Sequence, residues 1–212
     1  MAEHITQSER GLKHISFLRR VFLKKMSGQL QVQFADGKKQ QLCFHQGNFI
    51  GNSREITPVL KKFLATAVLK FRWKEEKPDV ENEKISGWIA PWIALADALR
   101  GLEIDNDRLI VYRLTFSNLP PMVLKNCPVH RFDFEDEDSY RLLYQLSLGA
   151  ASFEPKTFFA GQTAKEALNK RVRTVLLVFL LGFLRPISKK EKNKKNSVVA
   201  RILKRFKAKG AA

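Results

Sequence analysis

The chain has 212 residues, 44% of them hydrophobic, and a net charge of +17 at pH 7. That apolar content supports a sizeable core in one large or two small domains, while the charge favours an anionic partner over a neutral one. Two cysteines far apart in sequence exclude a disulfide framework and point to a reducing cytosol.

No amino-terminal targeting signal is expected. Met1 to Ser8 is polar, and Arg19, Arg20, Lys24 and Lys25 interrupt the first apolar segment. Residues 8–26 read as a helix, with Leu12, Ile15, Leu18 or Arg19, Phe22 and Met26 at helical spacing. Ser27 to Asn52 then alternates. Leu30, Val32 and Phe34 share one face of a strand, and Gln29, Gln31 and Gln33 the other. Asp36-Gly37 turns the chain, Leu42 and Phe44 resume the alternation, and Gln46-Gly47-Asn48 turns it again into Phe49 and Ile50. This predicts a small antiparallel meander with one apolar and one glutamine-rich face. Thr57-Pro58 offers an N-cap and a first-turn proline for a helix burying Val59, Leu60, Phe63 and Leu64. Val68 to Trp73 reads as the strand that closes the sheet.

These elements resemble the PATAN family, the amino-terminal domain of PatA-type response regulators in cyanobacteria. The resemblance covers about residues 8–74: the leucine-bearing helix FLRRVFLKKM, the Ser-Gly strand SGQLQVQF, the segment QQLCFHQGNFIG, the helix PVLKKFLATA and the strand VLKFRW. Asn52-Ser53-Arg54-Glu55 departs from the family's alanine-rich entry into the second helix. The resemblance implies a bacterial, cytoplasmic, non-enzymatic interaction module in signalling or motility control.

Residues 75–84 are charged, contain a proline and lack apolar periodicity, so they read as a linker. Residues 85–186 read as a mainly helical domain, with a winged-helix-like arrangement as one possibility. A helix over 87–100 is expected from Trp88, Trp92, Leu95 and Leu99, with Pro91 in its first turn and Gly101 ending it. Leu109 to Leu114 suggests a strand, and Pro120-Pro121 a break. The acidic run Asp133 to Asp138 precedes the apolar helix SYRLLYQLSL, which Gly149 stops. Carboxylates there favour the helix N-terminus by about 0.3–1 kcal/mol each when exposed. Thr163 to Glu166 reads as a capping box opening a helix to about Leu184, with Ala164, Leu168, Val172, Val175, Phe179 and Phe183 as its stripe and Pro186 ending it. The apolar run Val175 to Leu184 is about half a membrane span, so it reads as a buried helix.

Residues 187–212 hold ten Lys or Arg and one acid and form a basic, partly disordered tail. Ser197 can cap a helix there, with Ile202, Leu203 and Phe206 on an apolar face beside Val198 and Val199. The anion-binding candidates are Lys189, Lys190, Lys192, Lys194, Lys195, Arg201, Lys204, Arg205 and Lys207. Such a helix suits anionic lipid, an acidic protein or nucleic-acid phosphates; the plain alternative is a solubilising tail.

Other candidates have simpler explanations. Cys43, His45, Cys127 and His130 could make a two-Cys, two-His zinc site, but the one-residue spacing of the first pair argues for ordinary cysteines, and no metal is assigned. Trp88 and Trp92 could stack on bases, yet aromatics at helical spacing are more often packing. No Walker loop, GxSxG motif or catalytic His–carboxylate pair is visible. The expected class is therefore α+β: a small antiparallel meander with helices, then a mainly helical domain and a basic tail. The expected role is a non-enzymatic bacterial signalling or motility adaptor without cofactor. It would dock a regulatory protein in the cytoplasm, with its tail drawn to an anionic surface such as the inner membrane face. The alternative is a nucleic-acid-binding protein using a winged-helix-like domain and the tail.

Overall fold

The computed structural model describes residues 12–75, 87–132, 137, 140, 141, 143, 144, 153–161 and 164–187. Helix α1 (Lys13–Leu23) buries Ile15, Leu18, Val21 and Phe22. It ends before the expected Met26, because Lys25 turns to φ 50 and Met26 already lies in the connection to the sheet; residues 8–11 of the expected helix lie outside the described residues. Strands β1 (Gly28–Phe34) and β2 (Lys39–His45) pair antiparallel, with Leu30 opposite Leu42 and Gln31 opposite Gln41. The expected register is the observed one: Leu30, Val32, Phe34, Leu42 and Phe44 are buried. Gln46 (φ 48) and Gly47 (φ 78) make a two-residue turn into β3 (Asn48–Ile50), matching the right-handed twist of the strands.

Helix α2 (Ser53–Ala65) starts earlier than the Thr57-Pro58 signal suggested. Asn52 is the cap: its side chain accepts the Glu55 N–H at 3.0 Å. Pro58 therefore sits inside the helix, where a missing N–H and ring clash cost about 3 kcal/mol. Burial of Ile56, Leu60, Phe63 and Leu64, at roughly 1.5–3 kcal/mol each, outweighs that cost. Strand β4 (Val68–Lys74) returns along β1, with a bulge at Leu69.

Strand β5 (Trp88–Ile89) pairs with β3, so the sheet runs β4-β1-β2-β3-β5 and every pairing is antiparallel. Trp88 thus lies on a strand rather than on the expected helix. Helix α3 (Pro91–Leu99) begins after it, with Pro91 in the first turn, and buries Leu95 and Leu99. Residues Leu109 to Leu114 belong to helix α4 (Asn106–Ser117), not to a strand. Their β-branched run imitates alternation, but Leu109, Tyr112 and Phe116 follow the helical period and are all buried. The Tyr112 hydroxyl donates to the Leu64 carbonyl at 2.8 Å, which satisfies its polar tip inside the core.

After Pro120-Pro121, β6 (Met122–Leu124) pairs with β7 (Leu184–Pro186). A 3-10 turn (Val129–Arg131) and a short helix α5 (Pro155–Phe159) precede helix α6 (Lys165–Leu180). Ala164, not a threonine, occupies the N-cap position of α6 and makes no side-chain cap; Glu166 instead pairs with Lys170 at 2.9 Å. Leu168, Val172, Val175 and Phe179 are buried as expected, and Ala164 is exposed. The helix ends at Leu180, short of Leu184, because Gly182 and Phe183 return their N–H groups to Phe179 and Val178. Pro186 lies in β7 rather than at the helix end.

The fold is α+β. The apolar face of the sheet packs on α1 through Phe22 against Phe44 and Phe49, and Phe17 against Phe71 and Trp73. Helix α1 in turn touches α6, and α2 touches α3. Buried side chains from the first 74 residues and from the helical region belong to one apolar cluster. Among the described residues no helix is long and apolar enough to cross a membrane.

Candidate functional site

The sheet's second face carries the most distinctive chemistry among the described residues. Strand alternation turns every other side chain away from the core, and the register aligns them in rows. Lys70, Gln33 and Lys39 form one row; Arg72, Gln31 and Gln41 the next; Lys74, Gln29 and Cys43 the third. None of the five strands contains Asp or Glu. The rows of Lys70 and Arg72 line a shallow depression of about 520 Å³. Glutamine amides both donate and accept, so the face offers amide groups in a positive field with no carboxylate among the strands.

The nearest turn carboxylate is already engaged, toward the opposite side. Asp36, in the β1–β2 turn, receives Lys62 Nζ at 2.6 Å, and that ammonium also lies 4.5 Å from the Phe34 ring centre. The Lys62 hydrogen bond holds the Asp36 carboxyl below its usual range. At the far end of the face, the His45 ring lies 4.6 Å from that of Trp88, which is half exposed. The result is a basic, amide-rich surface with an aromatic pair at one end, suited to carboxylates or phosphates.

The zinc candidates fall in different places. Cys43 and His45 lie on the outer side of β2; Cys127 is buried ahead of the 3-10 turn, and His130 is exposed. Among the described residues, no three His, Cys, Asp or Glu side chains converge where a metal could bind. Burial pushes the Cys127 thiol up to about 12. Trp92 stands apart from Trp88, at an apolar groove of about 250 Å³ with Leu23, Phe132 and Arg131. Of the acidic run, Glu137 alone is described; it is helical and pairs with Arg141 at 2.7 Å. The tail candidates Lys189, Lys190, Lys192, Lys194, Lys195, Arg201, Lys204, Arg205 and Lys207, and the apolar Ile202, Leu203 and Phe206, lie outside the described residues.

Sequence reasoning recognised the glutamine face but missed its cations. Lys39, Lys70 and Arg72 were visible at alternating positions; what linked them was the β1–β4 register, which is not local. Comparison with known proteins found no family model that matches the chain, no similar curated protein and no similar solved structure.

Proposed function

We propose that this protein is a non-enzymatic docking module, of the PATAN kind that its strand–turn pattern resembles, acting as a bacterial signalling or motility adaptor in the cytoplasm. It binds an acidic regulatory protein on the outer face of its sheet, and its basic tail adds attraction to an anionic surface. The observation that carries this reading is the set Lys39, Lys70 and Arg72 on one sheet face whose strands hold no acid. A basic face steers an acidic partner and penalises a basic one, so it sets partner choice and association rate more than bulk affinity. The test is the double reversal Lys70→Glu with Arg72→Glu, scored by binding to polyglutamate at rising salt. Loss of the salt-sensitive binding supports the reading; unchanged binding places the anion site elsewhere.

The exposed Trp88 beside His45 favours a second reading, in which the same face holds single-stranded nucleic acid by stacking and phosphate contacts. Tight oligonucleotide binding that falls in Trp88→Ala, with weak polyglutamate binding, would select it. The tail is tested separately by replacing Ile202, Leu203 and Phe206 with Ser. Every charge then remains, and co-sedimentation with anionic vesicles should collapse if an amphipathic helix does the binding. Wild-type co-sedimentation would leave only a polybasic tail.

A further inference from the structure

We infer that β4 is a strand-addition site for an extended protein segment that alternates acidic and apolar residues. This rests on the acidic-partner reading above and adds where and how the partner is held. Strand β4 stands at one end of the sheet order, and among the described residues its sole ladder is with β1. An edge of this kind presents backbone donors and acceptors to any strand that can pair with it.

The two sides of β4 differ in chemistry. Lys70 and Arg72 point outward and are exposed. Phe71 points inward but is only half-buried, whereas its neighbour on β1, Val32, is 2% exposed. Beyond Phe71 the inner side opens into a groove of about 810 Å³ lined by Leu12, Phe17, Phe116 and Leu119. Lys13 and Arg20, from the same stripe of α1, stand at that groove, and the Arg20 guanidinium lies 4.9 Å from the centre of the Phe17 ring.

A strand added about 4.8 Å from β4 would send alternate side chains to opposite sides. Those facing inward would enter the apolar groove and cover Phe71. Those facing outward would sit beside Lys70 and Arg72. Side chains two residues apart are about 6.6–6.8 Å apart on either strand, so acids at every second position match the cations. The same cations oppose pairing of β4 with a second copy of itself, since like charges directly opposite are destabilising. The edge thus rejects its own kind and accepts an acidic, amphipathic strand.

The test uses the full chain and two peptides of glutamate and valine, about seven residues long to match the seven of β4. In one the two residues alternate; in the other they are segregated into blocks. The alternating peptide should bind at least about tenfold more tightly and slow amide exchange at residues 69–73. The double reversal Lys70→Glu with Arg72→Glu should weaken it at least about tenfold. Equal binding of the two peptides, no binding of either, or no protection of the β4 amides would overturn strand addition. If polyglutamate binding still falls in the double reversal, the basic face stands without the edge. If polyglutamate binding is untouched by the reversal, the face itself is not the anion site.

Discussion

Arg19 on α1 donates from Nε to the carbonyl of Phe179, at 2.8 Å, in the last turn of α6. Its Nη2 reaches the Leu184 carbonyl at 3.3 Å, and its guanidinium lies 4.7 Å from the centre of the Phe179 ring. A cation at a helix C-terminus meets the negative end of the dipole, and Arg19 shares the Phe179 carbonyl with the Gly182 N–H that closes the helix. One side chain thereby ties α1 to α6 across 160 residues of sequence. Replacing Arg19 by Ala should cost about 2–3 kcal/mol, because both the charge-assisted bonds and the stem packing are lost. Urea unfolding measures it, and Arg19→Lys should recover only part, since an ammonium lacks the guanidinium fork.

Gly28 opens β1 at φ 150, and a Cβ there would collide with the Lys74 carbonyl oxygen and the Trp73 indole. The obstacle includes backbone of the neighbouring strand, so it cannot simply rotate away. Gly28→Ala should destabilise by at least about 2 kcal/mol, in strain and lost β1–β4 pairing. Gly37, with open space around its Cβ position, provides the control: its Ala variant carries only the strain of φ 78. Thermal unfolding of the pair separates collision from strain.

His14 is buried, with Nδ1 3.2 Å from Nη2 of Arg108 and its ring edge-on to Phe63. Burial and then the Arg108 charge push its pKa well below 6.5. Arg108 itself lies over the Tyr112 ring. The imidazole is thus neutral when folded, with Nδ1 the acceptor from the guanidinium. The unfolded chain takes up its proton near pH 6.5, before the folded one does, so His14's contribution is complete above that pH. It is lost as pH falls from there toward the lower folded value. His14→Gln should flatten the stability profile between about pH 6.5 and 5, seen as a urea midpoint that changes less with pH than the wild type's. An unchanged profile would show that another group carries it.

The two thiols should react differently. Burial raises Cys127 to about 12, while Cys43 is only partly covered on the outer side of β2. Since the thiolate is the nucleophile, iodoacetamide at mildly alkaline pH should label Cys43 and spare Cys127 until the chain is denatured. Mass spectrometry of the labelled peptides checks this. Equal labelling of both in the native protein would mean that the loop before the 3-10 turn opens readily.

What the amino-acid sequence determined by itself was local. The two-residue alternation of Leu30, Val32 and Phe34 set which face of β1 is buried, and Gln46-Gly47 turned the chain by backbone preference. The stripe of Leu168, Val172 and Val175 marked the long helix. Tertiary structure decided what depends on residues far apart. Trp88 left the helix because β3 offered it a partner, Leu109 to Leu114 coiled because Tyr112 finds the Leu64 carbonyl, and Pro58 is tolerated because α2 buries enough around it. The candidate site is of the second kind: Lys39 and Lys70 flank Gln33 only through strand register, and the groove beside Phe71 is lined by residues of α1 and α4 that lie about a hundred positions apart in sequence. Periodicity is a property of neighbouring residues, whereas pairing and burial are decided by the competition among every surface that the folded chain brings together.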